Sequence, residues 1–198
     1  MKKTFPIYLA LLVLLPVWHM VQAQAVLTHG NAYRFETEPV DPADAFRGRY
    51  IALGFKAAHA EVEKDFNPDY GRKLYAVLGV DENGFGKIER LESRKPSGGD
   101  YVKVRGLYLQ TEDCPVPSPD REPMECLPLE KPLFRVQFPW DRFYMNEKAA
   151  PKAEEAYREA LGNQKKTWAV IRVRGGASAV ENVYLDGQPI QKAVLKAA

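Results

Sequence analysis

Apolar and polar residues alternate along most of the chain after residue 30, and this period of two is typical of half-buried β-strands. The segments that show the alternation, or a short apolar run, are 32–38, 50–55, 74–80, 87–91, 101–109, 133–138, 168–173 and 179–185. Turn-forming residues such as Gly175 and Gly176 separate them, which predicts hairpins. The pattern therefore predicts a mainly β domain, built as an antiparallel sheet or as a small barrel-like domain.

Helical spacing is clear in one stretch, residues 151–161. Its apolar positions recur three and four residues apart: Ala153, Ala156, Tyr157, Ala160 and Leu161. Pro151 suits a first helical turn and Gly162 suits a helix end, so we predict one helix here. The segment 57–66 is ambiguous, because its apolar residues also fit a short helix.

The N-terminus has a basic start and then a long apolar stretch. Small residues at Ala23 and Ala25 fit a secretory signal cut after either of them. An uncleaved membrane helix fits equally well, because the stretch covers the roughly 20 residues that a hydrocarbon core requires. Both interpretations predict export to the cell envelope, on the periplasmic side of the inner membrane. Residues 1–27 are then a signal peptide or an anchor, and residues 28–198 form the extracytoplasmic domain.

Two cysteines, Cys114 and Cys126, bracket a proline-rich loop. In an oxidising compartment a disulfide between them closes a short loop, which stabilises a fold by roughly 3 kcal/mol. Metal ligation is the weaker interpretation, because no histidine lies near and the spacing fits no zinc pattern. We predict the disulfide.

Charge and composition exclude several function classes. The net charge is +2, and without Lys2 and Lys3 the basic and acidic residues balance, which excludes a general binder of nucleic-acid phosphates. Two cysteines and three histidines are too few for a Cys/His zinc cluster or a haem motif. We therefore expect no metal, no cofactor and no nucleic-acid partner.

Signatures of catalysis are likewise missing from the sequence. Of the histidines in the domain, His29 and His59 lie in no nucleophile motif. Asp41 and Asp44 are at most a pair of carboxylates, whereas a cation site requires several converging oxygens. No glycine-rich loop stands between a strand and a helix.

The stretch 39–55 reads PVDPADAFRGRYIALGF. It resembles the signature of the GDYXXLXY family, a Gly-Asp-Tyr-x-x-Leu-x-Tyr run preceded by a Pro-Val-Asp-Pro segment. The positions that match the run are Gly48, Tyr50 and Leu53. Arg49 stands in place of the aspartate and Phe55 in place of the last tyrosine. A literal Gly-Asp-Tyr at 99–101 lacks the preceding segment, and we interpret it as a coincidence.

Two later segments extend this resemblance. Residues 140–147 are similar to an acidic-Arg-aromatic-aromatic segment that precedes the family's helix, and the closing hairpin through residue 190 is similar to its C-terminus. The resemblance covers most of the chain after residue 26. It implies an exported protein held by an N-terminal helix, in some cases linked to a polytopic membrane protein. It implies no activity.

We hypothesise that charged residues in and around the motif form a polar cluster at one end of the domain. Its charged members are Asp41, Asp44, Arg47, Arg142 and Glu147, beside the motif residues Gly48, Tyr50 and Leu53. We expect a network of ion pairs that fixes loop geometry, in preference to a catalytic site.

Two functions follow from these observations. The first is a non-catalytic envelope module, anchored by its N-terminal helix, that binds a polytopic inner-membrane protein or a ligand. Aromatic residues between Trp140 and Tyr144 supply either an interface anchor or core packing. The alternative is an envelope hydrolase that uses carboxylates or lysine as acid and base.

Overall fold

In the computed structural model, the described residues are 5–39, 50–63, 66, 73–113 and 127–192. Over these residues the protein is mainly β, as the alternation predicts, and both large sheets are open rather than closed into a barrel. The helices are α1 (Phe5–His29) and α2 (Ala150–Gly162), with one 3-10 turn at Lys56–Ala58.

The strands are β1 (Asn31–Glu38), β2 (Tyr50–Ala52), β3 (Gly54–Phe55), β4 (His59–Glu61), β5 (Lys73–Val80), β6 (Gly86–Glu92), β7 (Tyr101–Asp113), β8 (Leu127–Gln137), β9 (Arg142–Tyr144), β10 (Thr167–Arg174), β11 (Ala177–Leu185) and β12 (Gln188–Pro189).

These strands form two five-stranded sheets and one short ladder. The first sheet has the order β12-β11-β10-β1-β3, and the second has the order β4-β8-β7-β5-β6. Strand β2 pairs with β9 in a ladder of its own. The ladders between named strands are antiparallel, and the predicted hairpins β5–β6 and β10–β11 are confirmed.

Side chains from both sheets share one core. Phe35 of β1 and Phe134 of β8 are fully buried. The Phe35 ring lies 5.7 Å, centroid to centroid, from the rings of both Phe138 and Trp140. A Cβ atom at Gly86 would lie only 2.7 Å from the Phe35 ring, so this close approach of β6 to β1 requires glycine.

The helix α2 confirms the predicted spacing. Ala153, Tyr157 and Ala160 are buried, while the intervening positions are exposed or half-buried. Because two of these buried residues are alanines, the helix axis approaches the core closely. This places α2 against strand β2, which carries the tyrosine of the motif.

The N-terminal segment forms one continuous helix that passes through both predicted cleavage positions. Its part Leu11–His29 has a mean hydropathy of 1.5 and is 6% buried, so by length and composition it is able to cross a membrane. The last turn differs, because Val26 is buried against the domain. The helix therefore ends in the folded domain rather than in a flexible linker.

Two sequence predictions need correction. Residues 50–55 form two short strands with different partners, β2 with β9 and β3 with β1, although Ile51, Leu53 and Phe55 are buried on one side as predicted. The helical interpretation of 57–66 is wrong in its first half. A 3-10 turn there leads directly into β4, which pairs with β8.

Candidate functional site

The segments that resemble the family meet in the β2–β9 ladder. Tyr50 is paired with Tyr144, and Ala52 with Arg142. Beyond the ladder, the Leu53 backbone N–H donates a hydrogen bond to the Asp141 carbonyl, with an N···O distance of 2.9 Å. The fold therefore joins two stretches that lie about 90 residues apart in the sequence.

The inner face of this ladder belongs to the core. Ile51 and Phe143 are directly opposite each other, and both are buried. Leu53 and Trp140 are buried as well, each at 4% exposure. Trp140 stacks on Phe138 with ring centroids 4.7 Å apart. The motif leucine and the tryptophan therefore hold the structure together and are not available to a partner.

The outer face carries what we name the aromatic–arginine patch, formed by Tyr50, Arg142 and Tyr144. The Arg142 guanidinium carbon lies 5.0 Å from the centroid of the Tyr50 ring, which is a cation–π distance. The rings of Tyr50 and Tyr144 are 5.5 Å apart. Tyr144 is 65% exposed. This is a fixed arrangement of two phenols and one cation at the surface.

Electrostatics keep the arginine of the patch charged. A hydrogen bond with the Tyr144 hydroxyl, and then the charges of the Tyr50 phenol group and the Asp141 carboxylate, raise the pKa of Arg142. The Asp141 Oδ1 atom lies 3.7 Å from the Arg142 Nε atom. The patch therefore presents a permanent positive charge between aromatic rings.

A pocket of about 230 Å³ lies beside the patch, between α2 and β2. Ile51, Tyr157 and Leu161 line its apolar wall, and an ion pair between Arg158 and Glu154, 3.0 Å long, lies at its rim. Burial raises the pKa of Tyr157 to about 12, an effect that the nearby Thr37 hydroxyl partly opposes.

The predicted polar cluster falls partly outside the described residues. Asp41, Asp44, Arg47 and Gly48 all lie there, so their convergence stays a prediction. Arg142 contacts the rings and carboxylate named above. Glu147 is exposed, in the turn that leads into α2. Cys114 and Cys126 also lie outside the described residues.

The literal Gly-Asp-Tyr at 99–101, which the sequence analysis set aside, joins the two sheets. The Asp100 Oδ2 atom accepts hydrogen bonds from Asn31 at 2.7 Å and from Tyr33 at 3.0 Å, both on β1. Burial, together with this hydrogen bond and the Asp100 charge, raises the pKa of Tyr33 to about 12. Tyr101 donates to the Gly175 carbonyl at 3.3 Å. The only indication of this contact in the sequence is an aspartate directly before a long strand.

A second polar cluster was missed entirely. Arg135 donates from Nη1 to the His59 Nε2 atom at 2.7 Å and from Nη2 to the Glu38 Oε1 atom at 3.4 Å. Since Nε2 accepts here, the proton of a neutral His59 is on Nδ1. The three side chains are half-buried and come from three different strands. Sequence spacing gives no indication of this cluster.

Metal ligands do not converge among the described residues, where no group of three or more His, Cys, Asp or Glu side chains is placed to hold an ion.

In comparisons with known proteins, neither the curated proteins nor the solved structures gave a match. The family described as "GDYXXLXY protein" matches residues 12–183. That match covers α1 from residue 12 onward, both segments of the β2–β9 ladder and most of the closing hairpin, and the chain therefore belongs to the GDYXXLXY family.

Proposed function

We propose that this protein is a non-catalytic module of the cell envelope, held in the inner membrane by an uncleaved α1. In this proposal its periplasmic domain recognises a membrane-protein partner through the aromatic–arginine patch. The observation that carries the proposal is the outer face of the β2–β9 ladder. There the fold brings together Tyr50, Arg142 and Tyr144. Tyrosine and arginine are both enriched at the energetic centres of protein interfaces.

The geometry of the patch supports binding rather than structural support. The inner face of the same ladder already supplies the packing, through Ile51 and Phe143. Strand parity places Tyr144 on the other face, where at 65% exposure it contributes little burial to the fold. The contact with the Tyr50 ring restricts the Arg142 side chain, so binding costs less side-chain entropy than for a free arginine.

Retention of the anchor is supported by the end of α1. The helix runs without interruption across Ala23 and Ala25, the predicted cleavage positions. Its last turn is fixed to the domain by the buried Val26. Both positions therefore lie in regular helix, a few residues before the point where α1 packs on the domain.

The periplasmic location is supported by the ends of the β7–β8 hairpin. Asp113 and Leu127 are paired across it, and the next residue along each arm is a cysteine, Cys114 and Cys126. A disulfide between these two cysteines, which the sequence predicts, would persist in an oxidising compartment such as the periplasm. Alkylation of the unreduced chain, followed by mass spectrometry, should find both thiols unavailable.

The test of partner binding is co-purification. The tagged full chain is crosslinked in cells and recovered from the membrane fraction, as wild type, Tyr144→Ala and Arg142→Ala. Loss of an interface centre costs about 2 kcal/mol or more, which is about 30-fold in Kd. We therefore expect recovery of the membrane-protein partner to collapse in both variants.

Tyr108→Ala is the matched control, because Tyr108 is also an exposed tyrosine on a strand, at 47% exposure. It should retain the partner. If Tyr108→Ala and Tyr144→Ala recover the same proteins in the same amounts, the patch is not the recognition surface.

A further inference from the structure

The length of α1 determines how close the domain lies to the membrane. The helix has 25 residues, so it is about 37 Å long at 1.5 Å per residue. The hydrocarbon core of a bilayer is about 30 Å thick. About 7 Å of helix therefore remains, which is no more than the depth of one headgroup layer.

The junction between helix and domain is tightly packed. Gly30 follows the helix directly, and its N–H donates to the Val26 carbonyl at 2.9 Å. A Cβ atom at Gly30 would lie 2.4 Å from that carbonyl oxygen and 3.1 Å from the backbone of Val173. Arg172 donates from Nη1 to the Gly30 carbonyl at 3.1 Å. These contacts leave no flexible linker between α1 and the domain that would let the domain move away from its anchor.

These contacts identify which end of the domain is next to the bilayer. Asn31 is paired with Val173, so the β10–β11 hairpin end lies at the junction. We name this hairpin end, Arg174 to Ala177, the proximal edge. Arg174, Gly175 and Ala177 are exposed there. Two carboxylates of this region are already engaged, Asp100 by Asn31 through a hydrogen bond and Glu181 by Arg172 in an ion pair. Arg174 is exposed and brings a positive charge to the proximal edge.

We propose that the proximal edge lies in the lipid headgroup layer, with Arg174 bound to lipid phosphates. Guanidinium groups bind phosphate oxygens through two parallel hydrogen bonds, and a basic residue at an anionic membrane surface is attracted to it. This inference rests on the retained anchor of the proposed function and does not depend on the patch. The bilayer surface is thus a second partner of the domain, at a site separate from the β2–β9 ladder.

The test uses the full chain in lipid nanodiscs of phosphatidylethanolamine and phosphatidylglycerol that contain a lipid spin-labelled on its headgroup. A fluorescent amino acid replaces either Ala177, at the proximal edge, or Glu155, on the exposed face of α2. The spin label should quench the fluorophore at 177 at least threefold more than the one at 155. Equal or weaker quenching at 177 overturns the proposal.

A charge variant tests the role of the arginine. Arg174→Glu should reduce quenching at 177 at least twofold, whereas Arg158→Glu on α2 should leave it unchanged. Equal effects of the two variants overturn the phosphate contact. Because no partner protein is present, failure of the patch proposal leaves these results unaltered. The intact mass of the chain from cells is measured in parallel, and a chain cut after Ala23 or Ala25 overturns the proposal.

Discussion

The substitution Leu53→Ala separates the structural part of the motif from its recognition part. Leu53 is 4% exposed, and its N–H joins the two motif segments at the Asp141 carbonyl. Alanine keeps that backbone hydrogen bond and removes three carbon atoms from the core. The variant therefore changes packing while the chain path at the β2–β9 ladder is retained.

The expected loss of stability follows from the burial of this side chain. Three carbons at about 0.8 kcal/mol each correspond to about 2.4 kcal/mol of transfer free energy. The cavity left behind adds to this, and leucine-to-alanine changes at buried sites cost about 2–5 kcal/mol in total. For a domain of this size each kcal/mol lowers Tm by about 2–4 °C. We expect a decrease of about 5–20 °C.

The assay is thermal and urea unfolding of the full chain in detergent, followed by near-ultraviolet circular dichroism. Tyr144→Ala is measured alongside, because this exposed residue should change the free energy of unfolding by no more than about 0.5 kcal/mol. A Leu53→Ala variant less than 1 kcal/mol below wild type would refute the reasoning. So would a Tyr144→Ala variant that loses as much stability as Leu53→Ala.

Two further predictions concern the buried phenol and a turn. The buried Tyr157 hydroxyl has no hydrogen-bond partner among the described residues, because Thr37 donates its proton to Thr167, so Tyr157→Phe should leave the free energy of unfolding at pH 7 unchanged or raise it. Its pKa of about 12 in the fold exceeds that of about 10 in the unfolded chain. The stability that depends on the neutral Tyr157 phenol is therefore fully present below pH 10 and is lost as the pH rises from 10 to 12. Denaturation at several pH values should show a smaller loss of stability at alkaline pH for Tyr157→Phe than for wild type. Gly176 has φ of +84°, and a Cβ atom there would lie 2.5 Å from the Tyr101 ring. Gly176→Ala should therefore cost more, by urea denaturation, than Gly175→Ala, whose Cβ atom would enter open space; equal costs would contradict this.

Most of the fold could be predicted because its signals are local. Alternation over several residues predicts a strand whatever the strand pairs with, and adjacent glycines such as Gly175 and Gly176 predict the turn of a hairpin. The helix α2 carries its own spacing and end signals in the same way. The burial of Ile51, Leu53 and Phe55 was predicted for this reason even though their strand is split.

What the sequence could not show depends on contacts between distant segments. The split at Leu53 arises because its N–H bonds to Asp141, far along the chain, and the alternation of side chains is the same with or without that bond. The segment 57–66 has apolar residues whose spacing also fits a helix, and only the pairing of β4 with β8 decides the outcome. Strand β9 is three residues long, too short for any periodic signal.

For the candidate site, too, local signals predict one part and contacts between distant segments decide the rest. The resemblance pointed to Tyr50, Leu53 and Arg142, and the structure places Tyr50 and Arg142 in the β2–β9 ladder and Leu53 directly beside it. Which of them lies inside and which outside follows from the ladder register, which the sequence does not specify. The cluster around His59 was missed because its residues come from strands that are distant in the chain.

Site-specific photocrosslinking from residue 144 in living cells tests the central claim most directly. A photoreactive phenylalanine analogue replaces Tyr144 in one strain and Tyr108 in another. We predict one discrete adduct with a membrane protein from position 144, absent from position 108 and lost when Arg142→Ala is combined with it. Adducts of the same masses from both positions, or none from position 144, would contradict recognition through this patch.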